Sequence, residues 1–347
     1  MSNQSELAQL ASVFSGSALS NRNMVVNGAM TVAERGISTS ITSAGSYFSP
    51  DRFEAGITAT DQLAATLSQS TTSPDGFANS LKFEVTTAET TLDADEIVTI
   101  RQKFEGQDLK RIAKGTSSAE QVTASFWVRS SNTGTYILEL YDSDNTRQVS
   151  KSYTVNSANT WEYKTITFPA DTTGAFDNDN NLSLFFMFWL AAGSNYTSGT
   201  LNTSWASATT ANRVVGQTNL IASTNDFYLT GVQLEIGDTS TPFEYEPYSV
   251  TLQKCQRYFY RIYDAGFDYV PLFGDGNTWR IRSVDFPVTM RSSPACSITG
   301  TTGGGGSFTT SMPQVEGASK TTANCRLDVT PTTGFSRLIS FSADAEL

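Results

Sequence analysis

The sequence predicts an all-β protein: a jelly-roll β-sandwich followed by a smaller β-rich domain, with a short helix in front. Three observations carry this. Many short runs alternate apolar and polar residues with period 2, as in DQLAATLSQ, SLKFEVT, QVTASFWVR and TYILELY. Turn clusters such as SSNTG and DSDN separate them. The intervening helical pattern is confined to scraps such as GQDLKRIAKG, bounded by Gly106 and Gly115.

In chain order, residues 1–20 form the first segment. Within SELAQLASVFSGSA, Leu7, Leu10, Ala11 and Phe14 share one helical face, with Ser5 as N-cap. A helix of about three turns is marginal alone in water, so its stripe needs a partner. The alternatives are a docking peg or coiled-coil start, and a helix folded back on its own domain. Residues 21–248 carry the sandwich. Two stretches there change parity. In DFYLTGVQLEI the apolar positions move from Phe227 and Leu229 to Val232, Leu234 and Ile236. In WEYKTITF they move from Trp161 and Tyr163 to Ile166 and Phe168. A one-residue slip swaps the faces of a strand, and a β-bulge produces such a slip. Bulges are therefore expected at Thr230-Gly231 and at Thr165, the alternative being strands buried on both faces. LSLFFMFWLAA is apolar on both faces and needs cover on both, from the helix, the next domain or a neighbouring subunit. Pro242 and Pro247 mark the exit. Residues 249–347 open with a short helix at Leu252, Cys255, Tyr258 and Phe259, then read as strands around a four-glycine loop at 303–306.

Composition excludes several functions. Charged residues make up only 16%, below the roughly 25% of soluble proteins. The 21 Phe, 13 Tyr and 5 Trp nevertheless supply ample core, which argues against disorder. A net charge of −11 without a basic cluster repels nucleic-acid phosphates. The longest apolar run is too short to span a membrane. MSNQSELAQL lacks a basic start and a long apolar core, so no secretory leader is expected. Three cysteines without CxxC spacing read as buried thiols, neither a disulfide framework nor a zinc site. There is no histidine, which removes Ser-His-Asp and Cys-His catalysis and His-ligated metals.

Several segments together resemble virion proteins of tailed bacteriophages. NMVVNGAMTVAERG with YFSPDRF, FEGQDLKRIAKGTSSAEQVTASFWVRSSNTGTYILELYD, WEYKTITFPADTTGAFDNDNN, and NRVVGQTNLIASTNDFYLTGVQLEIGDTSTPFEYEPY are similar to a jelly-roll module of those proteins. LQKCQRYFYR leading to FPVTMRSSPA looks like the C-terminal knob of tail fibres of marine and cyanobacterial phages. The resemblance covers about residues 22–295. It implies a fold like that of carbohydrate-binding modules, a homotrimer, a place in the tail, and synthesis in the host cytoplasm. It also implies partners among tail or baseplate proteins and on host surface polysaccharide. A head fibre or decoration protein, and a polysaccharide depolymerase, are the alternatives. No enzymatic activity is expected.

Candidate sites follow. Sugar recognition uses exposed aromatic rings, which stack on the apolar face of a pyranose. Tyr196 and Trp205 stand nearly alone in the polar loop GSNYTSGTLNTSWASATTANR, and are either binding residues or loop anchors. Tyr269 and Trp279 flank GDGN in a loop suited to a fibre tip, or pack as an ordinary hairpin. Leu7, Leu10 and Phe14 are the virion-anchoring candidates. No cofactor is expected. DADE (93–96), DSD (142–144) and DNDNN (177–181) read as solvated turns, with a structural calcium as the alternative.

Overall fold

The computed structural model describes residues 21–42, 44–58, 61–262, 270–272, 278–303, 314–329 and 334–347. Leu7, Leu10, Phe14 and Tyr269 lie outside them. The chain divides into two compact units, Met1–Tyr248 with Leu347, and Ser249–Glu346.

The first unit has thirteen strands among its described residues: β1 (Ser38–Ile41), β2 (Gly45–Phe48), β3 (Glu54–Thr58), β4 (Ala64–Ser70), β5 (Ser80–Thr87), β6 (Ile97–Glu105), β7 (Val122–Ser130), β8 (Gly134–Asp142), β9 (Arg147–Val155), β10 (Glu162–Phe168), β11 (Leu182–Ala192), β12 (Ala206–Ser207) and β13 (Asp226–Ile236). They form a six-stranded sheet of order β1-β4-β5-β13-β7-β10 and a seven-stranded sheet of order β12-β9-β8-β11-β6-β3-β2. Every pairing is antiparallel. Successive strands repeatedly cross from one sheet to the other, as in β5 to β6, β6 to β7 and β7 to β8. That winding is the jelly roll. The reason is in the side chains: Leu81, Phe83 and Val85 of β5, Phe126 and Val128 of β7, and Phe186 and Phe188 of β11 all point into one shared core. The stretch GQDLKRI forms a 3-10 turn between β6 and β7.

The two parity breaks have different causes. In β13, Thr230 lies opposite Trp127 and Gln233 opposite Ser125, so three steps on one strand meet two on the other. That is the expected bulge, and it lets Phe227 and Leu229 before it and Val232 and Leu234 after it share the same core. Gly231 has φ +61°, and a Cβ there would lie 2.7 Å from Phe77 Cζ. Only glycine combines that backbone with that closeness. The bulge expected at Thr165 is absent. β10 pairs with β7 in unbroken register from Glu162↔Val128 to Phe168↔Val122. Ile166 and Phe168 face the core, whereas Trp161 and Tyr163 are aromatics on the outer face.

Strand β11 is two-faced as its sequence demands, but its cover comes from nearby in the chain. Leu184, Phe186 and Phe188 fill the main core. Met187 and Trp189 join Ile137, Ala192 and Val214 in a second cluster, with Tyr196 and Leu201 packed against it. The segment that follows β11, with the helical turn α1 (Ser194–Thr197), folds back over this face.

The second unit has a helix, α2 (Tyr248–Gln256), and strands β14 (Phe259–Ile262), β15 (Val270–Leu272), β16 (Thr278–Asp285), β17 (Ala295–Gly303), β18 (Gln314–Ala318), β19 (Thr322–Val329) and β20 (Gly334–Asp344). β20 pairs with β14, β15 and β17, and β19 pairs with β16 and β18. Its described core gathers Val284, Phe286, Met290, Phe341 and Ala343.

Candidate functional site

The outer face of the six-stranded sheet holds an open aromatic surface. Register places it residue by residue. Trp127 in β7 lies opposite Tyr163 in β10, with ring centroids 5.4 Å apart. Tyr228 in β13 lies opposite Lys82 in β5 and Arg129 in β7. Trp161, just before β10, meets the Tyr228 ring edge-on at 6.1 Å. Period 2 explains the grouping: the odd residues of β7 and β10 and the even residues of β13 upstream of its bulge all face outward. Tyr163 is 45% exposed, Trp127 and Trp161 are half-buried, and Tyr228 is buried beneath them at 7%.

A second aromatic group adjoins these rings at the bulge. Phe77 lies where a side chain on Gly231 would otherwise reach, close to Trp127. It packs on Phe243 at 5.1 Å and Tyr245 at 5.5 Å. Beyond the bulge, the outer face is covered by the chain running out of β13. Thr241 N donates to Glu235 Oε1 at 2.8 Å, and Glu244 N donates to Gln233 Oε1 at 2.9 Å. The open surface therefore ends at the Phe243–Tyr245 edge.

Charges frame the Tyr228 ring. Arg129 Cζ lies 5.0 Å and Lys82 Nζ 5.7 Å from its centroid. Lys82 pairs with Glu84 at 3.0 Å and Asp226 at 3.6 Å. Burial works against the Lys82 ammonium, but those carboxylates hold its pKa above the ordinary value. The Tyr228 phenol is also raised, by burial and then by the charge of Asp226. It stays a neutral donor near pH 7. The face thus offers flat rings, the charges of Arg129 and Lys82, and the exposed hydroxyl of Thr165. It has no nucleophile–base pair.

The residues singled out from sequence lie elsewhere. Tyr196 is half-buried on the opposite sheet, its ring 5.7 Å from Trp189 and 5.9 Å from the Arg213 guanidinium. Trp205 is half-buried against the main core. Its Nε1 donates to Pro169 O at 2.9 Å, and Lys114 Nζ lies 5.0 Å from its ring. Both rings hold down the loop that carries them. Trp279 belongs to β16, where its backbone pairs with Asp328. Sequence reasoning missed Trp127, Trp161, Tyr163 and Tyr228. The signal was present in WEYKTITF, where aromatics at odd positions marked a second useful face.

The acidic clusters serve as turn and ion-pair groups. Asp142 of DSD takes the Lys114 ammonium at 2.5 Å, and that ammonium also reaches Asp171 at 3.1 Å and the carbonyls of Thr173 and Gly174. Glu96 of DADE caps its own turn by accepting from Asp93 N at 2.8 Å. Asp179 of DNDNN accepts from Asn181 N at 2.9 Å. Among the described residues, no group of three or more acids or cysteines is arranged to hold a metal ion.

No protein-family model matches the chain, and no curated protein matches it. Solved structures do. The enzymatically active domain of tailspike protein 4 of bacteriophage CBA120 is similar over 62% of this chain and 22% of its own, at 13% identity and TM-score 0.32. The match thus spans about a fifth of that tailspike chain. TmCBM61, solved with β-1,4-galactotriose, is similar over 62% of this chain and 100% of its own, at 9% identity and TM-score 0.29. The family 11 carbohydrate-binding module from Clostridium thermocellum, solved with a β-1,3-1,4-mixed-linked tetrasaccharide, is similar over 59% and 98%, at 13% identity and TM-score 0.25.

Proposed function

We propose that this protein is a non-catalytic, glycan-binding subunit of a phage virion, a tail fibre or receptor-binding protein that grips host surface polysaccharide through the outer face of its six-stranded sheet. The observation that carries the glycan reading is the grouping of Trp127, Trp161 and Tyr163, exposed or half-buried along adjacent strands, around the buried Tyr228 ring. Flat rings side by side suit successive sugar rings, and the Lys82 ion pairs beside them suit hydroxyls. The virion reading is supported by the sequence resemblance of residues 22–295.

The test is affinity electrophoresis in gels containing host surface polysaccharide. Retardation that Trp127→Ala and Trp161→Ala abolish supports the reading. If Trp279→Ala abolishes it instead, binding belongs to the second unit. Incubation with the same polysaccharide should release no new reducing ends; sustained release, lost on changing one Asp or Glu, would establish a depolymerase. Imaging of intact virions separates a tail position from a head decoration. Assembly is proposed as a homotrimer anchored by residues 1–20. Light scattering should then give three times 37.5 kDa, and a single-chain mass at micromolar concentration sinks the proposal.

A further inference from the structure

We infer that the sugar held on this face is an acidic one, and that Arg129 recognises its carboxylate. The inference rests on the glycan-binding reading above. Arg129 points outward from β7 between Tyr228 and the position of Trp161. It is half-buried and held in two ways before any ligand arrives. Its guanidinium lies over the Tyr228 ring at 5.0 Å, and its Nε donates to Asn159 O at 2.9 Å.

The carbonyl that holds it is itself fixed. Asn159 N donates to Ser130 O at 2.7 Å. Glu162 ties down the same turn by accepting from Asn156 N at 2.8 Å and Ser157 N at 2.9 Å. With Nε engaged, the two Nη groups form the free end of the fork. They donate to no group among the described residues.

Lys82, on the same face, is committed: it is answered by Glu84 at 3.0 Å and Asp226 at 3.6 Å. Among the described residues, no carboxylate pairs with Arg129. In a chain of net charge −11, such a cation beside open aromatic rings is an anion site poised next to a stacking platform.

The chemistry favours a carboxylate. A planar guanidinium fork matches a planar carboxylate with two parallel hydrogen bonds. One unanswered positive charge balances one carboxylate, whereas a phosphate monoester dianion calls for a second cation that Lys82 does not have to spare. Because the Arg129 side chain is already ordered, little rotamer freedom is lost on binding. The ligand class is therefore a uronic-acid-type glycan, its ring stacked on Trp161 or Trp127 and its carboxylate on the Arg129 fork.

The experiment titrates the full chain with oligosaccharides of polygalacturonate, alginate and hyaluronate, and with the same oligosaccharides after carboxyl reduction. At least one acidic series is expected to bind about tenfold or more tightly than its reduced form, with the advantage shrinking as salt rises. Arg129→Gln should erase that advantage, bringing acidic and reduced forms to equal affinity, and Arg129→Lys should retain only part of it. Trp127→Ala should weaken both forms. Equal binding of acidic and reduced forms, with both still sensitive to Trp127→Ala, overturns the carboxylate assignment and leaves the face as a neutral-sugar site. Polyglutamate binding as tightly as the acidic sugars also overturns it, since the carboxylate would then be read without its sugar. No binding by any of the six probes, with Trp127→Ala also without effect on host polysaccharide, removes both readings.

Discussion

The outer face of the seven-stranded sheet presents Tyr141, Phe185, Met187 and Trp189; that of the six-stranded sheet presents Trp127, Trp161, Tyr163 and Tyr228. Both are aromatic, and both carry an arginine over a tyrosine: Arg213 lies 4.9 Å from the Tyr141 ring, and Arg129 lies 5.0 Å from the Tyr228 ring. On the first face, however, Arg213 belongs to the covering loop. It makes a two-pronged pair with the buried Glu139, at 2.8 and 2.9 Å, and Glu139 also accepts from Trp189 Nε1 at 2.8 Å. On the second face the covering segment stops at the Phe243–Tyr245 edge, and among the described residues nothing pairs with the arginine fork. An aromatic sheet face becomes a site only when the chain leaves it uncovered.

The largest expected effect breaks the covered face. Arg213→Ala leaves Glu139 buried without its guanidinium and should cost about 3–5 kcal/mol in denaturant unfolding. The paired change Glu139→Leu with Arg213→Met should recover much of that loss, because the charge is then gone. A loss below about 1 kcal/mol for the single change would mean that apolar contacts alone hold the loop.

Next comes the hinge of the open face. Gly231→Ala forces a side chain into a left-handed backbone against Phe77 and Trp127, and should cost about 1–3 kcal/mol. It should also weaken sugar binding, since Trp127 must shift. Unchanged unfolding and unchanged binding together would contradict the bulge geometry.

Trp161→Ala sharpens the contrast from the other side. It should weaken polysaccharide binding about tenfold, or about 1.4 kcal/mol, with little change in unfolding because the ring is half-exposed. Tyr196→Ala on the covered face should do the reverse: lower stability, near-normal binding. Swapped outcomes would place the sugar on the seven-stranded sheet.

The smallest effect is a pH dependence. Burial alone would raise the Glu162 pKa, but hydrogen bonds from Lys164, Ser157 and Asn156 bring it down to about 2. A carboxylate lowered on folding contributes stability that is present above its ordinary value, near pH 4.5, and lost as pH falls toward 2. The gap in unfolding midpoint between wild type and Glu162→Gln should therefore close over that window. A gap that persists unchanged at pH 2 would show that the ionised carboxylate is not what the turn uses.

Much of the fold was legible because period 2 is a local property of a strand. Leu81, Phe83 and Val85, or Tyr136, Leu138 and Leu140, declare their faces without knowing their neighbours. The glycine bulge was legible too, since Gly231 sits where parity breaks and its backbone requires a left-handed turn. The break at Thr165 looked the same in one dimension and meant something else. A parity change records only that both faces carry apolar groups; a bulge and an outward aromatic pair give one pattern, and the partner strand's register distinguishes them.

The sequence by itself determined the all-β class, the two-faced character of β11, and the exclusion of histidine chemistry, because each depends on residue type and short spacing. Tertiary structure alone decided which aromatic rings stay open. Trp205 and Trp161 both sit in polar surroundings along the chain, yet one tucks beneath the Lys114 ammonium and the other stands on the outer sheet. Burial is set by which segment folds back over a face, here 193–218 on one sheet and only 238–246 at the edge of the other. The tie that seats the first cover reaches from Arg213 to Glu139, 74 residues away, and no local pattern encodes it.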